Sequence, residues 1–325
     1  MDGAIVVSRL GGPEVLEWSR KDPGEPGPNQ VLVRHTAVGL NFIDVYHRTG
    51  LYPLELPFTP GVEAAGVVER GGAGVDDLAP GDRVAYLLTG PLGSYCESRV
   101  LPRDRLFTLP DGIDDETGAA IMLKGCTVEY LVRRTYPVKK GDWVLVHAAA
   151  GGVGLLMCQW LRVLGAHVIG TVGSEDKAEL VKANGCDHPI LYRSEDVAAR
   201  VKEITGGQGV HVAYDSVGKG TFTGSVDSLR PRGMMVSFGN ASGPVDPIPP
   251  LLLAQKGSLF LTRPTIAHYY RNREESAEGV GALFDVVSSG KVRPHIGARY
   301  PLAEAAEAHR ALEARETVGS TVLTV

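Results

Sequence analysis

Between Trp143 and Trp160 the chain reads Trp-Val-Leu-Val-His-Ala-Ala-Ala-Gly-Gly-Val-Gly-Leu-Leu-Met-Cys-Gln-Trp. An apolar run gives way to a turn of small residues and then to a helix pattern with an apolar face. Such a junction brings backbone N–H groups to a helix N-terminus, where the helix dipole favours a phosphate. Ala149, Gly151 and Gly154 stand at the three glycine positions of a G-x-G-x-x-G fingerprint, alanine replacing the first, with Gly152 and Val153 completing the turn. The flanking strand and helix patterns supply the context that the fingerprint requires. The turn is expected to hold the pyrophosphate of a dinucleotide.

The next strand pattern, residues 167–172, ends in Gly173-Ser174-Glu175-Asp176-Lys177. NAD-specific domains place a carboxylate on the ribose 2′-hydroxyl about 20 residues beyond the glycine turn. Here a small residue, a hydroxyl and a cation occupy the tip and the turn after it, which suits a 2′-phosphate. Glu175 and Asp176 count against this, but acidic residues are ordinary in the first turn of a helix. NADPH is therefore the expected cofactor. Tyr192 and Arg193 follow the strand pattern at 189–191; they read either as a solvated strand end or, Tyr192 above all, as a second contact to the adenosine phosphate.

The elements that must position these residues fall into two textures. The first third is rich in short β-like runs (4–8, 15–18 and 30–38) separated by Gly/Pro turns, which predicts a compact, mostly β domain. From about residue 124 strands and helices alternate: strands at 143–147, 167–172, 210–215, 234–238 and 258–262, and helices at 153–164 and 176–184. This α/β alternation implies a doubly wound parallel sheet with right-handed crossovers. The tail mixes helices near 274–289 and 302–314 with a strand at 320–325, and it is expected to rejoin the first domain. The domains are thus expected at 1–124, 125–265 and, returning, 266–325, with a cleft between the two.

Composition narrows the function. The chain has 325 residues, 43% hydrophobic and 22% charged, with a net charge of -5. Nothing in that balance calls for nucleic acid. No apolar run is long enough to span a bilayer, and the N-terminus lacks a signal-peptide pattern. The four cysteines, Cys96, Cys126, Cys158 and Cys186, form no C-x-x-C pair and read as reduced thiols in a cytoplasmic protein. The nine histidines form no ligand-spaced cluster.

Several segments, read together, resemble the zinc-free quinone oxidoreductases of the zeta-crystallin type, within the medium-chain dehydrogenases/reductases. They are Gly39-Leu-Asn-Phe-Ile-Asp-Val-Tyr-His-Arg-Thr-Gly-Leu-Tyr-Pro, Gly61-Val-Glu-Ala-Ala-Gly, Lys124-Gly-Cys-Thr-Val-Glu-Tyr, His147-Ala-Ala-Ala-Gly-Gly-Val-Gly, Tyr214-Asp-Ser-Val-Gly, Val236-Ser-Phe-Gly-Asn and Leu261-Thr-Arg-Pro. They run in order through nearly the whole chain. The resemblance implies a GroES-like catalytic domain, a Rossmann domain, NADPH and a homodimer, for which an edge strand near Leu259-Phe-Leu is a candidate contact. Zinc-dependent relatives carry cysteine where Asn41 stands and histidine where Val62 stands. Glu63 and Asp44 remain, but valine cannot ligate zinc, so catalytic zinc is not expected. Without a Lewis acid the acceptor must take hydride readily, as a quinone or an activated enone does.

Asn41, Tyr46 and Tyr52 lie on the segment that replaces the zinc-ligand region, and each can donate toward a substrate oxygen or the nicotinamide amide. The tyrosines could equally be packing residues. Thr127, read as lying near a helix start after Gly125, is expected either to contact the cofactor or to cap that helix. Phe238 and Asn240 end a Rossmann strand and, by the resemblance, contact the cofactor. Arg263 is read either as a cofactor contact or as a structural ion-pair partner. The expected activity is NADPH-dependent hydride transfer to a small-molecule quinone. An alkenal or enone reductase is the second enzymatic reading, and a crystallin-like nucleotide-binding protein with little turnover is the third.

Overall fold

The computed structural model describes every residue except Pro91. The chain forms two compact units, one from Met1–Cys126, Tyr270–Ser288 and Pro294–Val325, the other from Thr127–Tyr269 and Ser289–Arg293.

The second unit is built on a six-stranded sheet with the spatial order His188–Leu191, His167–Val172, Trp143–Val146, Val210–Asp215, Leu229–Ser237 and Phe260–Thr262. All neighbours are parallel. Parallel strands need crossovers, supplied here by the helices Gly152–Leu164, Glu175–Ala183, Val197–Ile204 and Phe222–Ser228. The first strand in sequence sits in the middle, so the winding direction reverses beside Trp143–Val146. That reversal is where ligands bind in doubly wound sheets, outside the carboxyl ends of the strands. Strands covered on both faces must be apolar along their length, and Val144, Leu145, Val168, Ile169, Val212 and Ala213 are fully buried.

The first unit carries a seven-stranded, mainly antiparallel sheet with Gln30–Leu40 at its centre, paired to Glu63–Gly71, Ser98–Pro102 and the terminal strand Ser320–Thr324. The core beneath it includes Val31, Val33, Val38, Tyr86, Tyr95, Leu101, Leu106 and Leu323. A two-stranded ribbon joins Asp2–Val6 to Glu17–Lys21.

Two sequence expectations change locally. Val15 and Leu16 do not begin a strand: Val15 closes the 3-10 turn Pro13–Val15, both side chains pack into the core, and pairing starts at Glu17. Thr127 is not at a helix start. The helix runs Asp115–Tyr130 and passes through Gly125, because a glycine there leaves room for Leu283, whose nearest atom is 2.5 Å from where a Cβ would stand. Thr127 thus lies in the last turns of that helix and caps nothing.

Candidate active site

The glycine turn of the second unit is defined by backbone. Ala148 adopts a φ of 51°, and Gly151 N–H bonds back to the Ala148 carbonyl at 3.0 Å. Gly151 is then the N-cap of Gly152–Leu164, and no side chain caps the exposed N–H groups there. They remain for an anion. A Cβ on Gly154 would clash with the Ala148 carbonyl oxygen and stand 2.6 Å from that of Ala149. The turn can pass this close under the helix only with glycine at 154.

A buried polar chain holds the turn from below. Ala149 N–H bonds the Thr171 carbonyl at 3.1 Å, and Thr171 Oγ1 lies 3.1 Å from His147 Nδ1. His147 Nε2 lies 2.9 Å from Ser225 Oγ, which donates to Asp215 at 2.8 Å. Asp215 also accepts from the N–H groups of Val217 and Gly218 and from Thr221. Burial pushes the His147 imidazole below its ordinary value, so it stays neutral. Ser, His and Asp here do not make a nucleophile: serine sits between the other two, and its proton is committed to the carboxylate.

The residues read as phosphate contacts gather at the tip of the next strand. Ser174 caps Glu175–Ala183 by accepting from Lys177 N–H at 3.5 Å. A Cβ on Gly173 would stand 2.9 Å from Tyr192 Oη, so Gly173 and Tyr192 are neighbours, with Arg193 alongside. Tyr192 is 40% exposed despite its size, which leaves its ring available. Phe238 and Asn240 follow the tip of Leu229–Ser237. Arg263, on the far side, donates to the Ser237 carbonyl at 3.0 Å and so clamps the end of that strand.

The first unit builds its cluster from side chains. Asn41 ends Gln30–Leu40 and caps Phe42–Arg48, its N–H bonding Asp44 Oδ2 at 2.9 Å. Its side-chain nitrogen donates to Glu63 Oε1 at 2.7 Å and to the Gly39 carbonyl at 3.4 Å. The amide protons expected to reach a substrate are therefore already in use. The same Glu63 oxygen receives Lys124 Nζ at 3.0 Å, and the other receives Leu123 N–H. Glu63 is fully buried, and Lys124 is only 6% exposed.

A second chain steadies Asp44. Arginine can only donate, so His309 Nδ1 accepts from Arg48 at 3.2 Å, and the proton on Nε2 points to Tyr95 Oη at 3.2 Å. Tyr95 in turn donates to Asp44 Oδ2 at 3.0 Å. Burial pushes the Asp44 carboxyl up to about 7 and the His309 imidazole down to about 3, the latter with help from Arg48. Beside this cluster Tyr46 and Tyr52 pack edge to face with ring centroids 5.2 Å apart.

Sequence reasoning missed Lys124, Tyr95 and His309. Only Lys124 had a local signal, a lone cation after the apolar run Ala119-Ala-Ile-Met-Leu.

The Alcohol dehydrogenase GroES-like domain family matches residues 27–111, and the Zinc-binding dehydrogenase family matches residues 152–285. Over 320 residues the chain is 52% identical to a quinone oxidoreductase of Pseudomonas aeruginosa, covering 98% of each. A 2-haloacrylate reductase of a Burkholderia species is 49% identical over 327 residues, again 98% of each. The crystal structure of Escherichia coli quinone oxidoreductase complexed with NADPH superposes with a TM-score of 0.97 at 46% identity, over 99% of this chain and 100% of that one. This chain belongs to the quinone oxidoreductases of the medium-chain dehydrogenase/reductase superfamily.

Its doubly wound sheet is the Rossmann domain of that superfamily, and the mainly antiparallel unit is the GroES-like domain. Zinc, suggested by the second family's description, does not fit the residues of this quinone oxidoreductase. Asn41 turns an N–H toward Glu63, Val62 is buried and offers no donor, and the Lys124 ammonium already lies against the Glu63 carboxylate. Among the described residues no three His, Cys, Asp or Glu side chains gather as a ligand set.

Proposed function

We propose that this chain is an NADPH-dependent quinone reductase that works without a metal. The observation that carries the reading is the end-to-end similarity to the Pseudomonas aeruginosa quinone oxidoreductase, 52% identical over 98% of each chain. NADPH, when bound, supplies a hydride from its nicotinamide. The N–H groups of Gly152, Val153 and Gly154 at the helix start receive the pyrophosphate, and glycine at 154 lets the turn pass close under the helix. Gly173, Ser174, Lys177 and Tyr192 hold the 2′-phosphate, with Lys177 supplying the charge. Thr127, Phe238, Asn240 and Arg263 line the rest of the cofactor's path. Tyr46 and Tyr52 orient the nicotinamide and the acceptor, and Asn41, its amide protons held by Glu63 and the Gly39 carbonyl, shapes the floor beside them. Orientation of the two reactants supplies a large share of the rate.

The protein acts as a homodimer in the cytoplasm. Phe260 and Leu261, on the edge strand Phe260–Thr262, are 57% and 36% exposed, and an apolar edge of this kind invites pairing with a second copy. Four buried free cysteines suit a reducing compartment. No described helix is long and apolar enough to cross a membrane.

Steady-state oxidation of NADPH with a panel of quinones, alkenals and a 2-haloacrylate tests the reading. Quinones are expected to give the highest kcat/KM. Tight NADPH binding with no turnover of any acceptor would contradict it.

A further inference from the structure

We propose that Lys124 is the electrophile of this site, its ammonium facing the acceptor oxygen on which negative charge develops during reduction. The inference rests on the quinone-reductase reading above. An ammonium has three N–H donors, and burying one without an acceptor is costly. Lys124 is 6% exposed, yet it spends one donor on Glu63 Oε1 at 3.0 Å and the other two find no acceptor among the described residues. Buried donors left open in this way mark a place where a ligand oxygen belongs.

Its neighbours point the same way. Asn41 and Lys124 share one acceptor, Glu63 Oε1, at 2.7 and 3.0 Å. The two nitrogens therefore lie within about 6 Å of one another, as those two distances require. An acceptor oxygen lying between the two is within reach of Lys124. Asn41 itself has no amide proton to spare, its side-chain nitrogen being bonded to Glu63 and to the Gly39 carbonyl. Glu63, fixed by Asn41 and the Leu123 N–H, holds the ammonium in place. A fixed cation in a dry site stabilises developing charge far better than one in water.

The step balances simply. The nicotinamide C–H bond breaks and its hydride forms an O–H bond at one quinone oxygen. Both carbonyl π bonds are lost as the ring becomes aromatic, and an electron pair settles on the second oxygen. That oxyanion takes a hydrogen bond from Lys124 Nζ, and a proton from solvent completes the hydroquinone while NADPH becomes NADP+.

The test compares wild type with Lys124→Met, Lys124→Arg and the double variant Lys124→Met/Glu63→Gln, which leaves no buried charge unpaired. Removing one such donor costs roughly 10²-fold in kcat, and that loss is expected in both methionine proteins. NADPH Kd, read by its fluorescence, should stay within about threefold, since the step concerned is charge development and not cofactor binding. The slope of log kcat/KM against quinone reduction potential should steepen, because poor acceptors need the electrophile most. Lys124→Arg should recover part of the loss. Wild-type kcat and slope in a folded double variant would overturn the assignment while leaving the quinone-reductase reading intact. A wild-type protein without quinone turnover would overturn both.

Discussion

In the Rossmann unit the groups proposed to meet the pyrophosphate are backbone atoms, presented by a turn whose close pass under the helix requires glycine at 154. In the GroES-like unit the proposed site is built from side chains, Asn41 and Lys124 both held by the buried Glu63 carboxylate. The difference decides what each part can do. A backbone cradle recognises phosphate in the same way whatever the substrate. A side-chain cluster can be rewritten one residue at a time, and zinc chemistry can be lost from it while the fold and the cofactor are kept.

That contrast can be broken most sharply at Gly154. A Cβ there meets two backbone carbonyls that cannot step aside, so Gly154→Ala should lose about 1–3 kcal/mol of stability as an overpacked site does. NADPH affinity should fall at least roughly tenfold with the lost charge-assisted bonds. Urea unfolding and NADPH titration measure the two. Unchanged values would mean that the turn tolerates side chains after all.

Acid should expose the opposite weakness in the side-chain-built unit. Burial holds His35 and His47 at about 4 and His309 at about 3, all below the ordinary 6.5. Between pH 6.5 and 4 the unfolded chain binds protons that the folded one refuses, so stability falls as pH falls. Asp44 works in the other sense: with its folded value raised from 3.8 to about 7, its protonation stabilises the fold as pH drops through that range. Three histidines outweigh one carboxyl, and a net loss of a few kcal/mol is expected. Urea midpoints at pH 6.5 and 4.5 should show it, and Asp44→Asn should make the loss steeper.

Lys177 sharpens the comparison because it is the side chain proposed to supply charge to the 2′-phosphate. Lys177→Ala should raise the KM for NADPH roughly 10-fold to 100-fold, the worth of a charged hydrogen bond, and leave that for NADH within about twofold. Equal effects on both would remove it from the phosphate site. Tyr52→Phe should matter least: its ring still packs on Tyr46, and turnover should stay within about tenfold of wild type, as loss of one neutral hydrogen bond allows. Abolished turnover with intact NADPH binding would make its hydroxyl an essential proton donor.

The same contrast governs what could be read from the sequence. The glycine turn and the alternating strands were legible because the constraint is local: residue size and period fix the turn, strand and helix. That Val62 offers zinc no ligand likewise follows from its chemistry alone. The Lys124–Glu63 pair and the Arg48–His309–Tyr95–Asp44 chain were not legible, because their hydrogen-bonded partners stand 61 and up to 261 residues apart and meet only in three dimensions. Thr127 was misread for a related reason. Gly125 looked like a helix boundary, and only Leu283 packing against it explains why the helix continues.

The most direct test of the central claim is kcat/KM for NADPH against NADH with one simple quinone as the acceptor. Ready turnover is expected, with NADPH favoured at least roughly tenfold, as for a bound phosphate held by a cation. Equal use of NADH, or no quinone-dependent oxidation of either cofactor, would contradict it.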